Sequence, residues 1–325
     1  MTTLRTCAPA KVNLGLQVVT RRPDGYHELR SVFLRIGLAD ELALADGDGP
    51  RDTLVVDGDP ACPVEGNLAL RAVAAIRSTV TADLPPVAIR LRKRIPLEAG
   101  LAGGSSDAAA VLRLLAHRHP GMPDGSQRIA LAASLGADVP FFLSAAGAAL
   151  VRGIGEGIEP LPPPIEPLGV LLVRPRVGLP TARVFGAWDA HHPGDGHPGR
   201  ESDGAGAATA IDELAAQLRG GASPQALVAL APRLRDANDL WAAAVVVEPR
   251  MARFRDALEA RLGRPVLMTG SGSTLVALLD GPASAMEAAE SLRADLPAPL
   301  VGAWVAASAS GTPYPPMVDI EEERP

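Results

Sequence analysis

Residues 129–151 (IALAASLGADVPFFLSAAGAALV) are nearly all apolar, and that leaves few ways to fold them. Asp138 and Pro140 interrupt the run, and the uninterrupted part after Asp138 has only 13 residues. A membrane-spanning helix needs ~18 or more. The stretch is therefore predicted to be a buried core segment that carries one carboxylate. An acid in apolar surroundings must be paired, protonated or put to use. Capping a helix is its ordinary alternative.

A chain of 325 residues divides into about two domains as a prior. Hydrophobic residues at 47% supply a core large enough to need no disulfide or metal staple. Cys7 and Cys62 fit neither a disulfide framework nor a zinc pattern, and they read as reduced thiols of a cytoplasmic protein. The opening Met1-Thr2-Thr3-Leu4-Arg5 lacks the apolar run of a signal peptide. A net charge of −6 argues against a nucleic-acid partner or an anionic membrane surface. Only two of the 31 basic side chains are lysines, Lys11 and Lys93. Where arginine serves almost everywhere, those two mark positions that need a compact ammonium.

Alternation predicts a strand over 6–19, with Val12, Leu14, Leu16 and Val18 on one face and Lys11, Asn13 and Gln17 on the other. A turn follows at 22–25 (RPDG). Further strands are predicted at 31–38, 41–45, 53–57, 87–91 and 143–151, and helices at 67–80, 105–117 and 126–135. Residues 160–167 (PLPPPIEP) hold five prolines and are the best boundary, between domains 1–159 and 160–325. Beyond it, strands are predicted at 168–174, 265–269, 274–279 and 300–307, and helices at 211–219, 224–231, 237–247 and 250–262. Residues 189–206 read as a mobile loop insertion and 312–325 as a frayed tail. Strands and helices without regular alternation point to an α+β class.

Five constellations bear chemistry. The loop from Pro96 to Ala108 (PLEAGLAGGSSDA) is rich in small residues and runs into a helix start, where free amides favour phosphate. No Lys follows its last glycine, so it is no Walker A loop. The others are LGADVPFF around Asp138, APAKVNL around Lys11 and Asn13, DGYHEL around Tyr26 and His27, and TGSGSTLV at 269–276. Each has an ordinary structural alternative: a helix cap, an exposed strand face, a packing tyrosine with a surface histidine, and a tight turn. A dinucleotide site at 153–157 is a poor reading, since G-x-G-x-G lacks the spacing and the strand–helix frame. His191, His192 and His197 suggest metal, but they sit in a glycine- and proline-rich insertion that reads as solvated loop.

The ordered motifs APAKVNL, PDGYHEL, GNLALRA, KRIPLEAGLAGGSSDAA, LGADVPFF, RGIGE, GLPT and TGSGSTLVA resemble the superfamily of galactokinase, homoserine, mevalonate and phosphomevalonate kinases. The resemblance runs from about residue 6 to residue 308. PDGYHEL, LGADVP and PAKVNL point within it to kinases of a cytidine-diphosphate sugar alcohol, 4-diphosphocytidyl-2-C-methylerythritol, in the non-mevalonate isoprenoid pathway. The resemblance implies a two-domain α+β small-metabolite kinase fold, with ATP and the alcohol in the cleft between domains. It implies that Asp138 is the general base and Lys11 its cationic partner. Substrate contacts would come from Asn13, Tyr26, His27, Thr181 and Phe185, with cytosine stacked on Tyr26 and read by His27. Pro96, Leu97, Glu98, Ala99, Gly100, Leu101, Ala102, Gly103, Gly104, Ser105 and Ser106 would wrap the triphosphate, with Asn67 and Lys93 near the adenosine or phosphates. Mg²⁺ would bridge the phosphates, with Ser105 or Ser106 as a route to the metal.

The loop departs from the pattern of its relatives. Leu97, Glu98, Ala99 and Ala102 stand where an unbroken glycine run is common, and Asp107 stands where many carry Asn. Glu98 should then point outward or toward a metal. Two rival readings are a kinase for another small alcohol, which a panel of alcohols separates, and a non-catalytic ligand sensor, against which Lys11 and Asp138 both speak.

Overall fold

The alternation near the N-terminus becomes one long strand, β1 (Leu4–Arg21), which turns at 22–25 and pairs antiparallel with β2 (His27–Asp46). The computed structural model describes residues 3–80, 84–119, 125–192 and 205–310. The predicted insertion at 189–206 lies mostly outside these residues, but its described ends are helical at 189–191 and 205–206 and not loop, and the predicted tail at 312–325 lies wholly outside them. After β2 come β3 (Thr53–Asp57), α1 (Leu68–Thr79), β4 (Val87–Arg92), α2 (Gly103–Arg118), α3 (Gly125–Leu135), α4 (Val139–Leu143), β5 (Ala148–Gly153) and β6 (Gly157–Leu161). Then follow β7 (Gly169–Arg174), α5 (Thr181–His191), α6 (Ala205–Arg219), α7 (Pro224–Leu234), α8 (Leu240–Val247) and α9 (Arg250–Leu262). The described chain closes with β8 (Leu267–Met268), β9 (Leu275–Leu279), α10 (Pro282–Ala294) and β10 (Trp304–Ala309).

Strands β1 to β6 form one six-stranded sheet around β2, and β7 to β10 form a four-stranded antiparallel sheet in the order β10-β7-β9-β8. The proline-rich stretch begins as the end of β6, where Pro160 and Leu161 pair with Ala149 and Ala148, so the boundary expected between 159 and 160 falls inside a strand and residues 162–167 run between the sheets. The strands have apolar side chains on both faces because both faces are covered. Along β7, Val170 and Leu172 pack with β1 and β2 residues and with α6 and α7, whereas Leu171 and Val173 pack with α8, α9 and α10. On the first sheet, Phe33, Leu42 and Leu44 face α1, α2 and α4. One apolar cluster thus spans both sheets.

Several boundaries differ from the expectations. The strands predicted at 31–38 and 41–45 are one, because Ala39 and Asp40 stay paired with Pro9 and Ala8 instead of turning. The apolar run at 129–151 breaks at Gly136–Asp138. Pro140 then sits in the first turn of α4, where its fixed φ suits a helix, so the following strand starts at Ala148 and not at 143. The helix predicted from 237 begins at Leu240, because Asn238 accepts a hydrogen bond from the Leu240 amide. The strand predicted at 300–307 lies at Trp304–Ala309, after a short 3₁₀ turn. Helices α5 and α10 and strand β6 were not predicted. The buried face of α10 is Ala285, Ala289 and Leu292, too alanine-rich to stand out as an apolar stripe.

Two features of the fold place the residues that matter below. Register shifts between Pro9 and Lys11 and between Asn13 and Leu16 bracket the Lys11–Asn13 segment of β1. Such bulges re-aim side chains locally. Gly15, in the second shift, has φ +87°, and a Cβ there would meet Ile211 of α6 at 2.9 Å, so glycine alone fits. The short helix α4 is held at its C-terminal end by two buried arginines. Arg35 Nη2 donates to Phe141 O (3.1 Å) and Ser144 O (2.9 Å), and Arg113 Nη1 donates to Phe142 O (2.6 Å). The Arg35 guanidinium also lies 5.1 Å from the centre of the Phe141 ring. A charged donor to a buried carbonyl is worth about 1.5–3 kcal/mol. Arg35→Met should therefore lower the unfolding free energy by about 2 kcal/mol or more, read as a shift of the urea midpoint. An unchanged midpoint would show that α4 does not depend on this cation.

Candidate active site

Lys11 is 4% exposed, and its ammonium is the point where four segments meet. Its Nζ donates to Asn13 Oδ1 at 2.6 Å, on the same face of β1. It reaches Gly100 O in the glycine–serine loop at 3.4 Å and Asp138 Oδ2 at 3.7 Å, and it lies 4.6 Å from the centre of the Phe33 ring. The strand face predicted for Lys11 and Asn13 exists, but it is buried and not a solvated surface. Burial pulls the Lys11 pKa below the ordinary lysine value, and the charge and hydrogen bond of Asp138 offset only part of that. Asp138 itself is not buried as its apolar neighbours suggested. Its side chain is 29% exposed, because it stands just before α4 at the cavity wall, and it caps no backbone amide.

The loop entering α2 keeps its small residues close to other backbone. Gly100 has φ +72°, and a Cβ there would stand 2.8 Å from Thr269 O. The turn between β8 and β9, the TGSGS motif, therefore packs against the loop, and Thr269 Oγ1 accepts the Asn13 amide at 2.8 Å. Glu98 (φ 52°) and Ala102 (φ 56°) adopt the left-handed backbone that glycine takes freely. Each costs roughly 1–2 kcal/mol there. Glu98 is exposed, as its charge requires. The helix starts at Gly103, two residues before the predicted 105, and its N-cap is Ala102, not a serine. No side chain caps the first turn and no acid lies in it. Its amides therefore have no side-chain partner, and Gly103, Gly104 and Ser105 line the cavity.

Lys93 anchors both ends of that loop. Its Nζ donates to Asp40 of β2 and, at 2.8 Å, to Asp107 Oδ2 of α2. Asp40 Oδ1 also accepts the amides of Arg94 (2.6 Å) and Ile95 (2.8 Å). Burial works against the Lys93 ammonium, but the carboxylates of Asp107 and Asp40 outweigh it and hold its pKa above the ordinary value. For Asp107, burial is the largest influence and raises the pKa to about 8. Asp40 adds to this and Lys93 opposes it.

On the other side, α5 turns Phe185, Trp188 and Asp189 toward His27. These positions, three and four apart, share one helix face. His27 stacks on Phe185 (4.7 Å between centres, 23°), meets Trp188 edge-on (5.5 Å, 85°) and donates from Nε2 to Asp189 Oδ1 at 2.6 Å. Neighbouring Tyr26 is 62% exposed in the β1–β2 turn.

These segments enclose a cavity of about 360 Å³. Of the residues singled out by resemblance, Lys11, Asn13, Lys93, Pro96, Leu97, Glu98, Ala99, Gly100, Ala102, Gly103, Gly104, Ser105, Asp138, Thr181 and Phe185 line it. Leu101 and Ser106 turn inward and are 1% and 0% exposed. Asn67 caps α1, accepting the Ala69 amide and donating to Pro63 O. Tyr26 and His27 lie outside the lining, on the α5 side. Sequence reasoning missed Phe33 of the lining, and Asp40 and Asp189 behind it, and it gave Gly270 and Ser271 of the lining no role. The TGSGS motif was a visible signal for Gly270 and Ser271. Asp40 falls in the gap between the strands predicted at 31–38 and 41–45, and α5, which carries Asp189, is not among the predicted helices.

The residues present fit a nucleotide triphosphate: an uncapped helix start, a small-residue loop and one buried ammonium face the same space. Oxygen donors for a hard cation, Asp138, Glu98 and Ser105, line it too. Among the described residues no group of three or more His, Cys, Asp or Glu side chains could hold a metal by itself. No described helix is long and apolar enough to cross a membrane.

Residues 67–146 match the GHMP kinases N terminal domain and residues 225–298 the GHMP kinases C terminal domain. A 4-diphosphocytidyl-2-C-methyl-D-erythritol kinase of Methylobacterium radiotolerans is 42% identical over 94% of this chain and 98% of its own. One of the same name from Thermus thermophilus is 38% identical over 88% and 92%. A crystal structure of 4-(cytidine 5'-diphospho)-2C-methyl-D-erythritol kinase superposes with a TM-score of 0.69 at 36% identity, covering 94% of this chain and 99% of that one. A homoserine kinase from Cytophaga hutchinsonii reaches the same TM-score at 17% identity, over 95% of each chain, which is a likeness of fold.

The Lys93 cluster makes stability depend on pH in a defined direction. An unfolded carboxyl titrates near 4, whereas the folded chain holds the Asp107 proton up to about pH 8. The native state binds the extra proton, so the Asp107 contribution is full below pH ~4 and is lost as the pH rises toward 8. Asp107→Asn keeps a neutral group in place and removes this slope. Urea unfolding at intervals across that range should show the variant gaining on wild type as pH rises. Parallel profiles would mean that Asp107 folds ionised.

Proposed function

The chain belongs to the 4-diphosphocytidyl-2-C-methyl-D-erythritol kinases within the GHMP kinases, and we propose that it transfers the γ-phosphoryl group of ATP to the 2-hydroxyl of 4-diphosphocytidyl-2-C-methyl-D-erythritol. The products are the 2-phosphate and ADP, in the non-mevalonate route to isoprenoid precursors. The observation that carries this reading is the 3.7 Å approach of Lys11 Nζ to Asp138 Oδ2, in the same cavity as the uncapped start of α2.

A tertiary alcohol is a poor nucleophile at neutral pH, and phosphoryl transfer asks mainly for alignment and charge neutralisation. Asp138, partly exposed at the cavity wall and free of any capping bond, accepts the proton of the attacking hydroxyl. The Lys11 ammonium, fixed by Asn13 and Gly100 O, stands beside the carboxylate to neutralise charge that grows on the transferred group. The first-turn amides of α2 hold the β- and γ-phosphates. Mg²⁺, when bound, would offset the phosphate charge, with Ser105 as the protein hydroxyl on that side. Ser106, fully buried, is set aside from that role. Lys93 and Asn67 support ATP indirectly, since both side chains are engaged by the protein: Lys93 fixes the loop ends and Asn67 starts α1. Asn13, Thr181 and Phe185 face the alcohol, Tyr26 stacks on cytosine, and His27 reads its edge.

Coupled ADP release with 4-diphosphocytidyl-2-C-methyl-D-erythritol tests the base directly. Asp138→Asn should lower turnover ~10²-fold or more while ATP still binds. Turnover near that of wild type would remove Asp138 from the reaction. Base stacking is worth ~1–3 kcal/mol, so Tyr26→Ala should raise KM for the cytidine substrate roughly tenfold. An unmoved KM would refute the stacking role.

A further inference from the structure

We propose that Asp189 is a positioning residue that fixes the tautomer of His27 and thereby makes the site select cytosine over uracil. The inference rests on the reading of His27 as the residue that meets the base edge, and it adds the group that decides what His27 can recognise there.

An ionised carboxylate can only accept hydrogen bonds. The 2.6 Å contact between His27 Nε2 and Asp189 Oδ1 therefore places the imidazole proton on Nε2. In the neutral imidazole that is its one proton, so Nδ1 keeps its lone pair and acts as an acceptor. Nδ1 makes no hydrogen bond among the described residues. The other Asp189 oxygen lies 3.7 Å from Arg21 Nε, which complements the carboxylate charge. Ring orientation is fixed as well, by Phe185 on one face and Trp188 at the edge. All three clamps come from α5, and Phe185 also lines the cavity.

The two pyrimidines differ at the position such an acceptor would read. Cytosine presents an exocyclic amine, a donor, whereas uracil presents a carbonyl oxygen there. An acceptor facing the amine makes a hydrogen bond. Facing the carbonyl, it sets two lone pairs against each other and leaves both unsatisfied, which is the stronger form of discrimination. Asn at position 189 removes the constraint, because its amide can donate to Nε2 and move the proton to Nδ1. His27 would then offer a donor and favour uracil.

The test compares KM for 4-diphosphocytidyl- and 4-diphosphouridyl-2-C-methylerythritol in wild type, Asp189→Asn and Asp189→Glu. Wild type should prefer cytidine by ~10-fold or more, as for a single base-edge contact. Asp189→Asn should bring the two KM values within about threefold of each other, and Asp189→Glu should restore most of the preference. A merely structural role would raise both KM values together and leave their ratio alone, which would overturn the proposal while the kinase reading stands. No ADP release from the cytidine substrate with wild type would overturn both. A second measurement needs no variant that must stay active: nitrogen NMR of histidine-labelled wild type at about pH 8, above the ordinary histidine range. The His27 signals, identified by their loss in His27→Gln, should show a protonated Nε2 and a bare Nδ1. The reverse pattern would overturn the proposal.

Discussion

The buried Lys11 ammonium is the interaction on which the arrangement depends. Removing a cation from water costs several kcal/mol unless partners surround it. Its partners come from Asn13 on its own strand, Gly100 in the loop, Asp138 before α4 and the ring of Phe33. Satisfying that charge requires the loop and the α3–α4 junction to meet β1 at one place. The neighbouring Asn13 amide ties in the β8–β9 turn through Thr269. The charge thus lies where both sheets contribute to one cavity, over an apolar cluster that they share.

A second buried lysine works to a different end. Lys93 sits between two acids and holds the loop from beneath, where its charge is already matched. Lys11 is short of a close counter-ion, since Asp138 stands 3.7 Å away and part of its carboxylate faces the cavity. One ammonium is committed to structure, and the other keeps capacity for a further anion. The strained backbone at Glu98 and Ala102 fits the same division. Anchored at both ends, the loop can hold a conformation that an unanchored segment would leave.

Much of this was legible because charge and polarity are conspicuous when they break a pattern. A chain with almost no lysine places both of its lysines at 5% exposure or less. The lone acid of the apolar stretch does face the cavity, and the ordered motifs alone carry the likeness to the family. Periodicity could not show that β2 runs through Ala39–Asp40, because a pair that looks like a turn stayed in register with β1. Nor could it show that Asp138 is partly exposed, since burial depends on where α4 ends and on Arg35 and Arg113 holding it there. Helix α5 was missed because it packs mainly through partly buried aromatics and has Val184 as its buried residue. The clamp on His27 was invisible for the same reason.

The most direct test of the central claim is a crystal structure of the ternary complex with a non-hydrolysable ATP analogue and the cytidine-diphosphate alcohol. The acceptor hydroxyl should lie within hydrogen-bond reach of Asp138, roughly 2.6–3.2 Å. Lys11 Nζ should stand beside both the hydroxyl and the terminal phosphate, and that phosphate should rest on the amides of Gly103 to Ser105. A hydroxyl bound away from Asp138, or a triphosphate away from the start of α2, would contradict the account.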